Sequence, residues 1–263
     1  MTSPFLEVQS LQAGYDSRLV LKGISFTLSP GSMTGLLGEN GCGKTTLLKA
    51  IAHLLPYKGD CLLQGQSLKH RSTRELARCI SYIPQKSSLM MSLPVLDVVL
   101  MGFNPVLKLL EHPHVYQRQA ALDALKSVGM EKFARRDFST LSEGQKQLCI
   151  FARTLVEHAP LLLLDEPDSA LDLRRRYEAL LFLKKQVEHQ DRAGLVCLHD
   201  PQLALQVCDQ LLLLKDGVCI HILHPKTDSL NQMQEALSQL YGPVILHPAG
   251  TQLCVLPMLE SCR

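Results

Sequence analysis

Gly38-Glu39-Asn40-Gly41-Cys42-Gly43-Lys44-Thr45-Thr46 lies between an apolar run, Met33 to Leu37, and a run with helical spacing, Leu47 to Leu55. The order is strand, tight loop, helix, and it decides the fold, because a glycine-rich turn in that setting cradles phosphate. Glycines at 38, 41 and 43 allow backbone angles and close approaches that side chains block, so successive N–H groups can turn onto phosphate oxygens. A helix beginning near Lys44 adds the positive end of its dipole. Lys44 can then reach the β- and γ-phosphates, and the Thr45 hydroxyl can take a place on Mg²⁺.

Upstream of this loop, Phe5, Val8 and Leu11, then Val20-Leu21 and Ile24, Phe26, Leu28, predict short strands separated by turns at Gly14 to Ser17 and Ser29 to Gly31. Tyr15 falls in the first turn, where it can stack on a flat ligand or be an ordinary loop tyrosine. Downstream, Tyr57-Lys58-Gly59 reads as a turn, Cys61 to Leu63 as a strand, Thr73 to Arg78 as a helix, and Cys79 to Ile83 as a strand ended by Pro84-Gln85. From Lys86 to Glu157 the pattern becomes helical, with helices predicted over Val95 to Met101, Val115 to Val128 and Gln145 to Glu157.

The α/β core resumes with Leu161-Leu162-Leu163-Leu164, apolar throughout as a buried parallel strand needs, and ends in Asp165-Glu166-Pro167. Two acids at the end of a buried strand are costly unless something uses them. In open α/β sheets ligands sit at the carboxyl ends of strands, which places Asp165 and Glu166 in the same crevice as Lys44 and Thr45. There Asp165 can hold Mg²⁺ and Glu166 can orient or deprotonate an attacking water; the plainer alternative is a pair of helix-capping acids. Leu195 to Leu198 is another buried strand, followed by His199-Asp200-Pro201, with Asp200 as a cap and Pro201 in the first helical turn. Leu211 to Leu214, Asp216-Gly217 and Val218 to Ile222 read as a hairpin. The tail holds a helix, Leu230 to Tyr241, and strand-like pieces at Val244 to Leu246 and Leu253 to Leu256.

Composition narrows the partners. A chain of 263 residues, 46% apolar and with a formal charge of +2, is globular and lacks the basic surface that nucleic acid needs. Its 9 cysteines are an odd number with no Cys-x-x-Cys pair, which argues against a disulfide framework or zinc ribbon and for a reducing cytoplasm. No N-terminal signal pattern or bilayer-length apolar stretch is found, so an integral membrane protein is not expected. Arg174-Arg175-Arg176 reads as a solvated helix face, and the pairs His112/His114 and His221/His224 are spaced too weakly to suggest a metal.

Taken together, Gly38 to Thr45, then Gln85, Leu141-Ser142-Glu143-Gly144-Gln145, Asp165-Glu166, Ser169-Ala170-Leu171-Asp172 and His199 resemble, in order and spacing, the ATP-binding cassette ATPases. The resemblance covers nearly the whole chain, and the Leu141 to Gln145 peptide looks like the signature peptide of that family. It implies an α/β fold: a P-loop NTPase core with an antiparallel β subdomain and a helical signature subdomain. The parts are residues 1–85, the first of the core; 86–157, helical; 158–222, the second of the core; and 223–263, a terminal helix and strands.

The resemblance also implies roles. Tyr15 stacks on adenine, and Gly38, Glu39, Asn40, Gly41, Cys42, Gly43, Lys44, Thr45 and Thr46 bind ATP. Gln85 senses γ-phosphate and joins Thr45 and Asp165 at Mg²⁺. Glu166, His199, Gln85 and Lys44 carry hydrolysis. Ser142, Gly144 and Gln145 reach the ATP of the opposite subunit, and Asp172 lies at the dimer interface, so a second copy of the chain is expected in a head-to-tail dimer enclosing two ATP molecules.

Within the family, Pro94 to Gly102 and the tail, with Gly242-Pro243-Val244 and Cys254-Val255-Leu256-Pro257, are similar to ATPases that serve iron-siderophore, haem and cobalamin importers. That implies work on separate integral membrane permease subunits, with a substrate-binding protein engaged indirectly, as a peripheral protein of the cytoplasmic face. Residues 86–102 would receive the permease's coupling helix, with Leu89, Met90, Met91 and Leu93 as socket or as helical core. The alternative is a soluble cassette ATPase acting on ribosomes or nucleic acid; those commonly carry two cassettes or a long coiled coil, and neither is seen. Glu143 replaces a glycine of the usual signature, Asp168 a frequent threonine, and Pro201 follows the switch histidine less usually. Cys42 is small enough for the loop, where an exposed thiol is expected to be open to alkylation.

Overall fold

The computed structural model describes residues 4–85, 92–108, 110–189, 192–250 and 252–258. Alternating Leu6, Val8, Leu11 and Ala13 turn one face of β1 (Leu6–Tyr15) inward, and Leu21, Ile24, Phe26 and Leu28 do the same for β2 (Arg18–Leu28). The two strands form one long antiparallel ribbon instead of the several short strands expected. Register shifts between Val8 and Leu11 and between Ala13 and Gly14 absorb the breaks in alternation.

β3 (Ser32–Gly38) feeds the glycine loop and α1 (Lys44–Ile51). β4 (Tyr57–Leu63) then pairs with β1 from Tyr57 onward, so Tyr57-Lys58-Gly59 is strand and not a turn. Gly59, at φ +91, lies so close to β1 that a Cβ there would sit 2.4 Å from the Gln9 carbonyl oxygen. β5 (Gln66–Ser67) completes a four-stranded sheet in the order β2-β1-β4-β5.

α2 (Thr73–Cys79) leads into β6 (Ile80–Ile83), and the helical stretch follows as α3 (Val95–Leu100), α4 (Val115–Ser127) and α5 (Glu143–Glu157). Next come β7 (Leu161–Asp165), α6 (Leu173–His189), β8 (Ala193–Cys197), α7 (Pro201–Val207), β9 (Gln210–Lys215) and β10 (Val218–Leu223). The six-stranded sheet runs β10-β9-β3-β8-β7-β6, parallel apart from the β9–β10 hairpin. Leu161 and Leu163 face the core shared with α1 and the first sheet, while Leu162 and Leu164 face the one shared with the later helices. Both faces are covered, which is why these strands show no polar alternation.

Asp216 and Gly217, both at positive φ, turn the β9–β10 hairpin, and the Gly217 carbonyl accepts the Lys22 N–H at 2.8 Å. A Cβ on Gly217 would meet the Val20 carbonyl oxygen at 1.8 Å, so the tip docks on β2 and ties the two sheets. The tail is α8 (Leu230–Tyr241), then β11 (Val244–Ala249) and β12 (Gln252–Pro257) as a separate two-stranded sheet. Among the described residues no helix is long and apolar enough to cross a membrane.

Candidate functional site

The chemistry collects where β3, β6, β7 and β8 end. Gly43, left-handed at φ +113, precedes α1; no side chain caps this helix end and no acid lies in its first turn, which leaves its N–H groups to an anion. Gly38 is required for space, because a Cβ there would lie 2.4 Å from the Leu214 carbonyl oxygen and 2.5 Å from the Cys42 thiol. Lys44 Nζ donates to the Gly38 and Glu39 carbonyls at 2.7 and 3.2 Å, so the ammonium is held over the loop by groups that a phosphate can outbid. The loop opens on a cleft of about 640 Å³ lined by Tyr15, Arg18, Lys22, Asn40 to Thr46 and Glu166, a volume suited to a nucleotide. Tyr15, the last residue of β1 and not part of a turn, stands half exposed at its wall.

Asp165, the last residue of β7, accepts from the Thr45 hydroxyl at 3.0 Å and from the Tyr82 hydroxyl at 3.3 Å. Burial pushes its carboxyl above the ordinary value of 3.8; the Thr45 hydrogen bond opposes this, and the neighbouring Glu166 charge adds to it. A buried carboxylate beside a hydroxyl is an oxygen donor set that fits a hard divalent cation, and Thr45 with Asp165 supplies such a set. Gln85 donates its side-chain amide to Glu166 Oε2, so the structure brings it to Glu166 and not to the Thr45–Asp165 pair. Glu166 Oε1 lies 2.5 Å from His199 Nε2, and its backbone is left-handed at φ +49. That strain, costing on the order of 1 kcal/mol or more, is the kind that functional turns retain. Asp168 is buried nearby, its carboxyl pushed up by burial and pulled down by Arg176 and His199.

The Leu141 to Gln145 peptide lies apart from this cleft. Ser142 caps α5, which starts two residues earlier than expected: Gln145 N donates to Ser142 Oγ at 3.3 Å and Ser142 N to Gln145 Oε1 at 3.1 Å. A Cβ on Gly144 would lie 3.1 Å from the Ala170 carbonyl oxygen, so this turn packs on the Ser169 to Asp172 peptide. Glu143 turns outward to Lys146 at 2.7 Å. Asp172 accepts the Arg175 N–H at 3.0 Å and thereby caps the start of α6. None of Ser142, Gly144, Gln145 or Asp172 lines the cleft around Lys44.

One expectation is corrected. Cys42 is buried against Gly38, and burial pushes its thiol up despite the nearby Lys44, so it is not an exposed, readily alkylated group. Asp200 Oδ1 accepts from Gln202 N and Leu203 N at 2.9 and 3.2 Å, with Pro201 in the first turn of α7. Leu89, Met90 and Met91 lie outside the described residues, while Leu93 is half-buried against the helical core. Tyr82, which braces Asp165 from the adjacent strand, escaped the sequence reading. Its position three residues before Gln85 was visible, but the pairing of β6 with β7 was not.

The family model for the ABC transporter matches residues 21–169. The hemin import ATP-binding protein HmuV of Bordetella pertussis is 39% identical over 256 residues, covering 92% of this chain and 95% of its own length. Among solved structures, a chain of an inward-facing, metal-chelate type ABC transporter is similar with TM-score 0.82 and 27% identity, covering 98% of both chains. The ATP-binding cassette MJ0796, solved as a dimer in a post-hydrolysis state bound to ADP and Pi, is similar with TM-score 0.75 and 25% identity, over 84% of this chain and 98% of its own.

Proposed function

The chain belongs to the ABC transporter family and is an ATPase, and from that premise we propose that it energises import of a metal chelate, of iron-siderophore, haem or cobalamin type, through a separate membrane permease. The observation that carries the importer reading is the extent of likeness. The metal-chelate type transporter chain matches 98% of this chain, whereas the cassette MJ0796, itself matched almost completely, spans 84% of it.

In this reading ATP enters with its adenine against Tyr15 and its phosphates on the amides of Gly38 to Thr46. Lys44 exchanges the Gly38 and Glu39 carbonyls for phosphate oxygens. Thr45 and Asp165 would hold Mg²⁺, joined by Gln85 once it leaves Glu166. When bound, Mg²⁺ neutralises charge on the β- and γ-phosphates. Glu166 orients or deprotonates the attacking water, and His199 moves from Glu166 to the γ-phosphate. Ser142, Gly144 and Gln145, distant from the cleft of their own chain, complete the site of a second copy, with Asp172 at the shared interface. Residues 1–85 and 158–222 act as the core, 86–157 as the helical arm that meets the permease, and 223–263 as an appended tail. ATP closes the dimer because its γ-phosphate gains contacts from both copies, and hydrolysis removes them, so closure and opening drive the permease from the cytoplasmic face. A substrate-binding protein delivers the chelate on the far side.

The test is reconstitution with a candidate metal-chelate permease from the same organism. Co-purification in detergent, ATPase stimulation by permease and chelate, and ATP-dependent uptake into liposomes are expected. Stimulation by RNA with none by the permease would reverse the assignment.

A further inference from the structure

At the amino ends of the parallel strands, opposite the phosphate loop, a second set of charges lies largely out of solvent, Arg192 buried and Glu157 and Arg153 half-buried. Glu157, in the last turn of α5, is 3.0 Å from Arg153 Nε and accepts from the Ser81 hydroxyl on β6. Arg192, 3% exposed and just ahead of β8, adds a further positive charge to Glu157, and its guanidinium lies 3.1 Å from His158 Nδ1. Its main chain is fixed as well, the carbonyl accepting Gly31 N at 2.7 Å and the N–H donating to Val187 at 3.1 Å. Gly102 closes the cluster: a Cβ there would lie 2.8 Å from the Arg153 carbonyl oxygen and 3.2 Å from Glu157 Cγ.

Such a cluster is expensive to bury, and its partners hold it in one geometry. None of these residues lines the nucleotide cleft. What the cluster shares with the site is mechanical. α5 spans 15 residues, a rod of about 22 Å at ~1.5 Å per residue, with Ser142 at one end and Glu157 at the other. Ser81 lies on β6, the strand that leads directly to Gln85. The end of the helix that carries the signature peptide is thus fastened to the strand that carries the glutamine facing Glu166.

We propose that Glu157 is a positioning residue: fastened to Ser81, it is the pivot that sets the angle of α5 and so the placement of Ser142 and Gly144 on the ATP of the second copy. This rests on the reading that those residues act across a head-to-tail dimer. It predicts that loosening the pivot spares nucleotide binding by the single chain and weakens dimer closure.

The experiment uses the full chain carrying Glu166→Gln, with ATP-driven dimerisation followed by light scattering. Affinity for a fluorescent ATP analogue is measured in parallel at protein concentrations too low for dimers. Glu157→Gln and Ser81→Ala should each leave nucleotide affinity within about twofold and raise the ATP concentration for half-maximal dimer by about tenfold, while Ser81→Thr, which keeps the hydroxyl, stays near the parent. If Glu157→Gln does not fold by thermal melting, Ser81→Ala carries the test. Dimer midpoints unchanged in the variants, or lost in step with nucleotide affinity, would overturn the pivot alone. A parent that does not dimerise with ATP overturns the head-to-tail reading and the pivot with it.

Discussion

At the carboxyl ends of the six-stranded sheet, Asp165 and Glu166 are met by Thr45, Tyr82, Gln85 and His199, which are neutral or titratable donors. At the amino ends of the same strands, Glu157 is met by Arg153 and Arg192. Both places draw carboxylates away from water, and the partners' charge separates their uses. Where the partners are two arginines the carboxylate is held by groups that keep their charge, as a fastening requires, although burial still pushes the Glu157 carboxyl up. Where they are hydroxyls, an amide and an imidazole, each bond can be given up to an incoming phosphate or cation, and the backbone of Glu166 there is left-handed.

The sharpest way to break this contrast is Glu166→Gln. Turnover measured as phosphate release should fall by roughly 10²–10⁴-fold with nucleotide affinity retained, as expected for loss of a general base. Undiminished turnover would mean that the strained turn is only structural.

A smaller effect tests Asp165 as a cation ligand. Its native pKa is raised by burial, so the folded chain holds a proton that the unfolded chain has released once pH exceeds the ordinary 3.8. The charged form therefore subtracts stability at neutral pH, and the penalty shrinks as pH falls toward the native value. Asp165→Asn should melt higher than the parent at pH 7.5 without nucleotide, the gap narrowing on acidification, and should lose Mg²⁺-dependent turnover. A gap that widens in acid would contradict the sign.

The smallest effect concerns Cys42. As a buried small apolar group it should cost about 1 kcal/mol on truncation to alanine, with turnover within about twofold. Iodoacetamide should label it in the native chain more slowly than the half-buried Cys254, as read by peptide mass mapping. Rapid labelling that blocks ATP binding would restore the exposed-thiol reading.

Much of the site was legible in the residues because its parts are local. The glycine loop, the Asp165-Glu166 pair behind a leucine run and His199 each announce themselves within a few positions, and their order supplies the rest. What was not legible depends on strand pairing. Tyr57 to Gly59 carries turn residues, yet β1 recruits it into the sheet with Gly59 pressed against the neighbouring backbone. Cys42 sits in a polar loop by sequence but is covered from the side by Gly38 and the adjoining core. Nothing in the sequence singled out Glu157, Arg153 or Arg192. Arg153 and Glu157 meet through the four-residue spacing of α5 itself, whereas their meeting with Ser81 on β6 and with Arg192 ahead of β8 is one that no periodicity encodes.

Hairpin tips are customary places to splice in a fluorescent reporter, since exposed turns tolerate insertion. The Asp216-Gly217 tip is closed to such use. Its carbonyl holds Lys22, it has no room for a single added carbon against Val20, and it forms part of the cleft wall. An insertion there would part the two sheets and deform the nucleotide cleft together. Gly250, at the far hairpin, has nothing within 4 Å of an added carbon and offers the reporter a position that leaves the tip intact.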